Sequence, residues 1–353
     1  MILSPIGRLY GSVMTARNAL YDRGILRSFA LGARTISVGN LTTGGTGKTP
    51  LVALISEILI ESGETVCILT RGYGRANPRE RVLVSDGSAI LADAPEGGDE
   101  PAELAARLGG RAIIVADVDR LSAGQWAKEE FGVTAFVLDD GFQHRRVKRD
   151  MDIVCIDATN PCGNGRVLPA GRLRESFTGL QRAGAIVITR SDLVEDTSAI
   201  EARLRKWNAR APVFRAETHI ARLISLEEFH AEAHRMKRDH SNDDRIGTMV
   251  SRRVGAFCAV GNPEAFFRTV ERYFEDQSQI VVTKAFADHH SYTQADIDDV
   301  ESRAKGDGAE LLIMTAKDAV KLKGLSFELP CYVAEAEMVI EDEGVFRRLV
   351  IGE

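Results

Sequence analysis

Apolar residues along the first two thirds of the chain fall into short continuous runs separated by longer polar or amphipathic stretches. The runs 35–38, 66–70, 112–115, 135–138, 153–156 and 185–189 have the length and composition of strands covered on both faces. Between the first two, Leu51, Leu54, Ile55, Ile58 and Leu59 recur at helical spacing, and Gly63 supplies a stop. This alternation predicts an α/β fold, a mostly parallel sheet with helices on both faces. The pattern lapses near residue 216. The stretch 227–253 is rich in His, Arg, Asp and Glu with little apolar periodicity, and it reads as a hinge or an inserted loop. A second α/β pattern follows, with strands at 254–260, 280–283, 311–314 and 331–334 and helices at 263–274 and 293–305. The expected organisation is an N-terminal helical region 1–30, a nucleotide-type domain 31–215, a linker 216–253 and a smaller α/β domain 254–353. Two such domains suggest a cleft that closes on substrate.

At 353 residues the chain is comfortable for two cores. Its net charge of −6 argues against a general nucleic-acid binder. Five scattered cysteines without a Cys-x-x-Cys pair suit a reducing cytoplasm better than secretion. No apolar run reaches the length of a transmembrane helix. Arg8 and Arg17 interrupt the N-terminal apolar stretch, which is therefore no signal peptide. In residues 2–21, Ile2, Leu3, Ile6, Leu9, Tyr10, Val13, Met14, Leu20 and Tyr21 recur every three or four positions. Arg8, Arg17, Arg23 and Arg27 accompany them, with Asp22 as the one acid. Two readings stand for this segment: a basic amphipathic helix lying in a membrane surface, or an ordinary helix packed on the core.

The densest chemistry lies at 36–50, where an apolar strand leads into Thr42-Thr43-Gly44-Gly45-Thr46-Gly47-Lys48-Thr49 and then a helix. A glycine-rich turn at a helix start aims backbone N–H groups at phosphates. Lys48 is placed to reach the terminal phosphates and Thr49 to ligate Mg²⁺. The glycine usual at the head of such a loop is here Thr42. The run 135–138 ends in Asp139-Asp140, a strand-end carboxylate pair of Walker-B type. Asp139 is the expected metal ligand, and Asp140 stands behind it or against substrate. The donor-rich Gln143-His144-Arg145-Arg146-Val147-Lys148-Arg149 follows, readable as anion recognition or as a solvated basic loop. Arg71, Tyr73 and Arg75 form a similar cluster, and Arg120 is a further candidate. Asp99, just before an alanine-rich helix, reads on its own as an N-cap. Asp288-His289-His290 in the second domain offers a general base. His230 and His234 share a helix face but lack the His-Glu-x-x-His pattern, so a solvated face is expected.

Together these strings resemble the tetraacyldisaccharide 4′-kinases of lipid A biosynthesis. The resemblance runs from Tyr10-Gly11 and Arg17-Asn18 through the glycine loop, Thr70-Arg71-Gly72-Tyr73-Gly74-Arg75, Gly98-Asp99-Glu100-Pro101, Asp139-Asp140-Gly141-Phe142-Gln143-His144 and Leu173-Arg174-Glu175. It continues to Gly261-Asn262-Pro263, Asp288-His289-His290 and Lys317-Asp318-Ala319-Val320-Lys321. One departure is Ala316, where the family pattern leads us to expect Glu. The resemblance implies a P-loop NTPase-like fold, and ATP with Mg²⁺ as cofactors. The implied reaction is phosphorylation of the 4′-hydroxyl of tetraacyldisaccharide 1-phosphate, giving lipid IVA. It further implies an Asp99–His289 dyad across the domain cleft, with His289 as base, and phosphates held by Lys48, Thr49 and Asp139. Glu175 would join the metal or substrate shell, and Arg71, Tyr73, Arg120, Asp140 and His144 would face the sugar and its 1-phosphate. A peripheral place on the cytoplasmic face of the inner membrane, with the N-terminal helix on the bilayer, completes the expectation.

The rival class is a switch or delivery NTPase of the metal-chaperone or partition type. Thr43 replaces the lysine that partition ATPases carry before the glycine pair, and Thr189-Arg190-Ser191-Asp192 matches a guanine-reading motif only loosely.

Overall fold

The computed structural model describes residues 3–232, 252–274 and 279–353. Among them are twelve strands: β1 (Arg34–Asn40), β2 (Val66–Thr70), β3 (Val82–Asp86), β4 (Ile113–Ala116), β5 (Ala135–Leu138), β6 (Met151–Asp157), β7 (Ala185–Thr189), β8 (Val213–Ser225), β9 (Val254–Cys258), β10 (Ile280–Ala285), β11 (Leu311–Thr315) and β12 (Cys331–Ile340). The chain forms two compact units. The first comprises Met1–Arg71, Asp117–Glu217 and Val339–Glu353; the second comprises Gly72–Ala116 and Thr218–Met338.

The first unit is built on parallel strands in the order β8-β7-β6-β1-β5-β2. Ile36, Val38, Ile68, Leu69, Phe136, Val137, Ile153, Val154, Ile186 and Val187 are all essentially inaccessible, as the unbroken apolar runs require. The Lys48–Glu61 helix buries Leu51, Val52, Ile55, Ile58 and Leu59. Removing five such side chains from water contributes on the order of 10 kcal/mol before entropy is counted. The C-terminal helix Glu343–Ile351 also belongs to this unit. Its Phe346 meets Phe214 edge-on at 5.2 Å, and Arg34 Nη2 donates to Leu349 O at 3.1 Å.

In the second unit the order is β10-β9-β11-β12-β8, with the β10–β9, β9–β11 and β11–β12 pairs parallel. An antiparallel β3–β4 pair carries the Ala94–Gly97 and Asp99–Arg107 helices. Its core gathers Phe257, Tyr292, Ile297, Leu312, Met314, Leu322 and Val333.

Three expectations change here. Residues 72–116 group with the second unit although they lie inside the expected first domain, and 339–353 return to the first. The expected linker opens with residues 216–225 of the thirteen-residue strand β8, followed by the Leu226–Glu232 helix. The strand escapes a pattern search because Arg222 sits mid-run; it is neutralised by Glu335 of β12 at 2.6 Å. Residues 233–251 of that linker, with His234, lie outside the described residues.

The N-terminal helix Leu3–Asp22 is also as periodicity predicts. A Cβ on Gly7 would lie 3.0 Å from Ala170 Cβ, and one on Gly11 3.1 Å from Val167, so these glycines set a close approach to the 167–170 loop. Toward its end Arg17, Asn18 and Asp22 bond Gln143 O, Glu175 and Arg145. Ile6, Leu9 and Val13 remain more than half exposed. No helix among the described residues is long and apolar enough to cross a membrane.

Candidate active site

Strand β1 ends at Asn40 and the glycine loop follows. Gly44 (φ 110°) and Gly47 (φ 76°) lie in the region that side chains other than glycine rarely adopt, and Gly47 immediately precedes the Lys48–Glu61 helix. The loop is braced from behind. Arg190 Nη1 donates to Gly45 O at 2.8 Å, Thr189 Oγ1 to Thr46 O at 2.9 Å, and Asn40 Nδ2 to Thr46 Oγ1 at 2.8 Å. In a trans peptide the N–H points opposite the C=O. Pinning these carbonyls therefore turns the N–H groups of Thr46 and Gly47 away from Arg190 and Thr189, the orientation an anion needs. Thr42 is buried, and the front of the loop is held by Thr43 N donating to Arg172 O and Arg174 N donating to Leu41 O.

The strand-end carboxylates differ sharply. Asp139 is buried, accepts from Thr70 Oγ1 at 3.0 Å, and its carbonyl accepts from Arg120 Nη2 at 2.9 Å. Asp140 takes a left-handed backbone (φ 50°) that turns it toward two cations, Lys48 Nζ at 3.6 Å and Arg174 Nη1 at 2.6 Å. Burial would raise its carboxyl, but Lys48, Arg174 and Arg120 outweigh that and hold it at about 2. Asp140 thus keeps the Lys48 ammonium beside the glycine loop. Its Oδ1 is buried and accepts no hydrogen bond from protein.

Glu175 is placed otherwise than expected. Its carboxylate is buried and accepts from Asn18 Nδ2 at 2.7 Å, Gln143 Nε2 at 3.0 Å and Arg182 Nη2 at 2.9 Å. Both oxygens are taken by protein donors, so it serves as a post tying the N-terminal helix to the 140s loop. The basic string after Asp140 is likewise largely structural. Arg145 pairs with Asp22 at 2.7 Å, Arg146 with Asp119 at 3.1 Å and Arg149 with Asp152 at 3.1 Å. His144, partly buried and facing Arg120 and Arg149, is pushed down to about 4. Its ring is neutral near pH 7 and offers a hydrogen bond rather than a charge. Arg120 is buried against Asp139, while Arg71 is exposed.

In the second unit, Asp99 opens the Asp99–Arg107 helix. It is not the N-cap: Gly98 is, with φ 102° and no room for a Cβ, which would lie 2.8 Å from Tyr73 O. His289 stands at φ 62°, an uncommon backbone for such a residue. Its Nδ1 lies 2.7 Å from Asp99 Oδ2, and Tyr73 lies over the ring with centroids 4.6 Å apart. Both dyad members belong to one unit, so the contact forms within it rather than across a cleft. Burial alone would raise the Asp99 carboxyl. The hydrogen bond with His289 and the charges of Lys317, His289 and Lys321 bring it below its ordinary value. An ionised Asp99 is an acceptor only, so Nδ1 carries a proton and Nε2 is the ring nitrogen that Asp99 does not engage.

Sequence reasoning gave no role to Asn40, Asp157, Arg174 or Arg190. Asp157 pairs with Arg190, which braces the loop. Nor did it assign a role to Lys317, whose Nζ sits 3.1 Å from Asp288, 3.8 Å from Glu100 and 3.9 Å from Asp99. Among the described residues no cluster of three or more His, Cys, Asp or Glu side chains could by itself hold a metal.

A family model describing tetraacyldisaccharide-1-P 4′-kinases matches residues 1–352. The chain is 36% identical over 343 residues to the tetraacyldisaccharide 4′-kinase of Desulfotalea psychrophila, covering 96% of this chain and 92% of that one. It is 40% identical over 308 residues to the enzyme of the same name from Anaeromyxobacter dehalogenans, covering 87% and 77%. A crystal structure described as the "apo" form of LpxK from Aquifex aeolicus in complex with ATP superposes with a TM-score of 0.74 at 28% identity, covering 99% of this chain and 98% of that one.

Proposed function

We propose that this chain, which belongs to the tetraacyldisaccharide-1-phosphate 4′-kinase family, takes the γ-phosphoryl group from ATP held at residues 42–49. The acceptor is the 4′-hydroxyl of a tetraacylated disaccharide 1-phosphate, deprotonated by His289. The observation that carries the reading is the hydrogen-bonded Asp99–His289 pair, in which Nδ1 faces Asp99 and Nε2 does not. The whole-chain family match favours it over a switch NTPase.

The backbone N–H groups of Thr46 and Gly47 and the Lys48 ammonium would receive the phosphates. A magnesium ion fits the donor set: the strand-end Asp139 carboxylate, the Thr49 hydroxyl at the helix start, and the buried Asp140 Oδ1 that accepts from no protein donor. Bound there, the ion would neutralise charge on the β- and γ-phosphates. Asp140 positions Lys48. His289 takes the hydroxyl proton at Nε2 while Asp99 holds the ring and stabilises the imidazolium. Tyr73 and Arg71, both exposed, are free to face the sugar and its 1-phosphate.

Purified protein incubated with γ-labelled ATP, Mg²⁺ and tetraacyldisaccharide 1-phosphate in detergent should move label into the lipid, and Lys48→Ala should not. ATP or GTP hydrolysis without lipid labelling would contradict the proposal.

The exposed Ile6, Leu9 and Val13, with Arg8 beside them, support docking of the N-terminal helix on the membrane that holds the acyl chains. Replacing all three by Ser should lower partitioning onto anionic vesicles by roughly tenfold or more, with turnover on detergent-dispersed substrate retained. Unchanged partitioning would remove this helix from the account.

A further inference from the structure

The turn that presents His289 also brings a carboxylate to the wrong side of its ring. Asp288 Oδ2 lies 3.7 Å from His289 Nε2, the nitrogen that must stay unprotonated to act as a base. Several further acids crowd the same place. Asp99, Glu100 and Glu103 approach from the Asp99–Arg107 helix and Asp288 from the turn. Arg107 on the helix and Lys317 and Lys321 beyond β11 answer them, with Tyr73 and His290 as the remaining titratable neighbours. Uncompensated negative charge this close would favour the imidazolium and remove the base near neutral pH.

Lys317 answers all three of the carboxylates Asp288, Glu100 and Asp99. Its side chain is largely buried and its Nζ lies within 4 Å of Asp288, Glu100 and Asp99. Its own position is fixed by the next residue. Asp318 is fully buried, accepts from Ala259 N, Tyr292 Oη and Thr315 Oγ1, and pairs with Lys321 at 3.1 Å. Ala316, on the other side, packs against the apolar core rather than adding a further acid to the cluster. We infer that Lys317 is a positioning residue for the transfer reaction: it draws Asp288 away from Nε2 and offsets the local negative charge, leaving Nε2 open to the acceptor hydroxyl. Burial by itself would lower the Lys317 pKa, but Glu100, Asp99 and Asp288 more than reverse this, so the ammonium stays charged throughout the working range.

This inference rests on the kinase reading, and the two fail in different lanes of one experiment. The kcat/KM–pH profile of labelled-phosphate transfer is measured for wild type, Lys317→Met, Lys317→Arg and the double variant Lys317→Met with Asp288→Asn. In Lys317→Met the acid limb should move up by about one pH unit, with activity recovering at higher pH and KM for ATP unchanged. Lys317→Arg should keep the wild-type limb, and Asp288→Asn should return the double variant toward it. Titration of the His289 ring protons by NMR gives the same shift without turnover. A Lys317→Met loss of equal size at every pH, or a limb that Asp288→Asn leaves displaced, overturns the inference. Wild-type protein that labels no lipid overturns the kinase reading itself.

Discussion

The glycine loop is a run of consecutive residues, 42–49, braced from behind by Asn40, Thr189 and Arg190. The Asp99–His289 contact instead joins positions 190 residues apart, one at a helix start and one on a left-handed turn. In the first region conformation is written locally: glycine frees the backbone, the helix start supplies oriented N–H groups, and Lys48 follows at a fixed spacing. In the second, nothing local brings the partners together. The contact depends on Gly98 letting Tyr73 approach, on β9, β10 and β11 carrying the 286–292 turn, and on Asp318 locking the neighbourhood of Lys317. The phosphate cradle takes its shape from adjacent residues and only its bracing from Thr189 and Arg190. A dyad built by packing depends on its surroundings.

That contrast gives its largest expected effect in the dyad. Asp99→Asn keeps the shape but leaves Nδ1 facing an amide that stabilises no imidazolium. We expect kcat to fall by about 10²-fold or more with KM for ATP unchanged, measured by steady-state transfer. A parallel rise in KM for ATP would show that the two regions are not separable.

A second, smaller effect separates brace from ligand in the first unit. Glu175→Gln should lower the thermal midpoint, because Arg182 loses a buried charge partner at 2.9 Å and an unpaired buried charge costs about 3 kcal/mol or more. The Mg²⁺ concentration for half-maximal activity should not move. If it rises instead, Glu175 belongs to the metal shell after all.

The mildest effect concerns Glu103, on the helix that carries Asp99. Burial raises its carboxyl to about 7, with Arg107 and Lys317 opposing that shift. Its folded value lies above the unfolded one, so the folded state binds the extra proton and stability falls as pH rises from about 4.5 to about 7. Glu103→Gln should therefore stabilise the protein at pH 8, by at most about 3 kcal/mol, and leave it nearly unchanged at pH 4. Equal melting-temperature shifts at both values would contradict the sign.

Much of the fold is legible in the sequence where apolar runs are unbroken. Strands β2, β5 and β7 fall at the residues the pattern predicts. Strand β3 hides behind charged flanks, β8 behind Arg222 and its partner Glu335, and the Glu343–Ile351 helix behind the expectation that the C-terminus stays with the second core. In the site, the glycine loop and Asp139-Asp140 declare themselves by spacing. The bracing by Arg190 and the charge hub at Lys317 do not, because each pairs residues far apart in sequence. The basic string 145–149 misleads in part for the same reason: Asp22 and Asp119 lie far off in sequence, although Asp152 is only three residues beyond Arg149.

The division of labour between the two regions is tested most directly on His289→Ala, with ATP affinity and single-turnover transfer measured on the same preparation. The account predicts wild-type ATP affinity and transfer slowed by about 10²- to 10⁴-fold. Transfer at the wild-type rate, or ATP affinity lost in step with transfer, would contradict it.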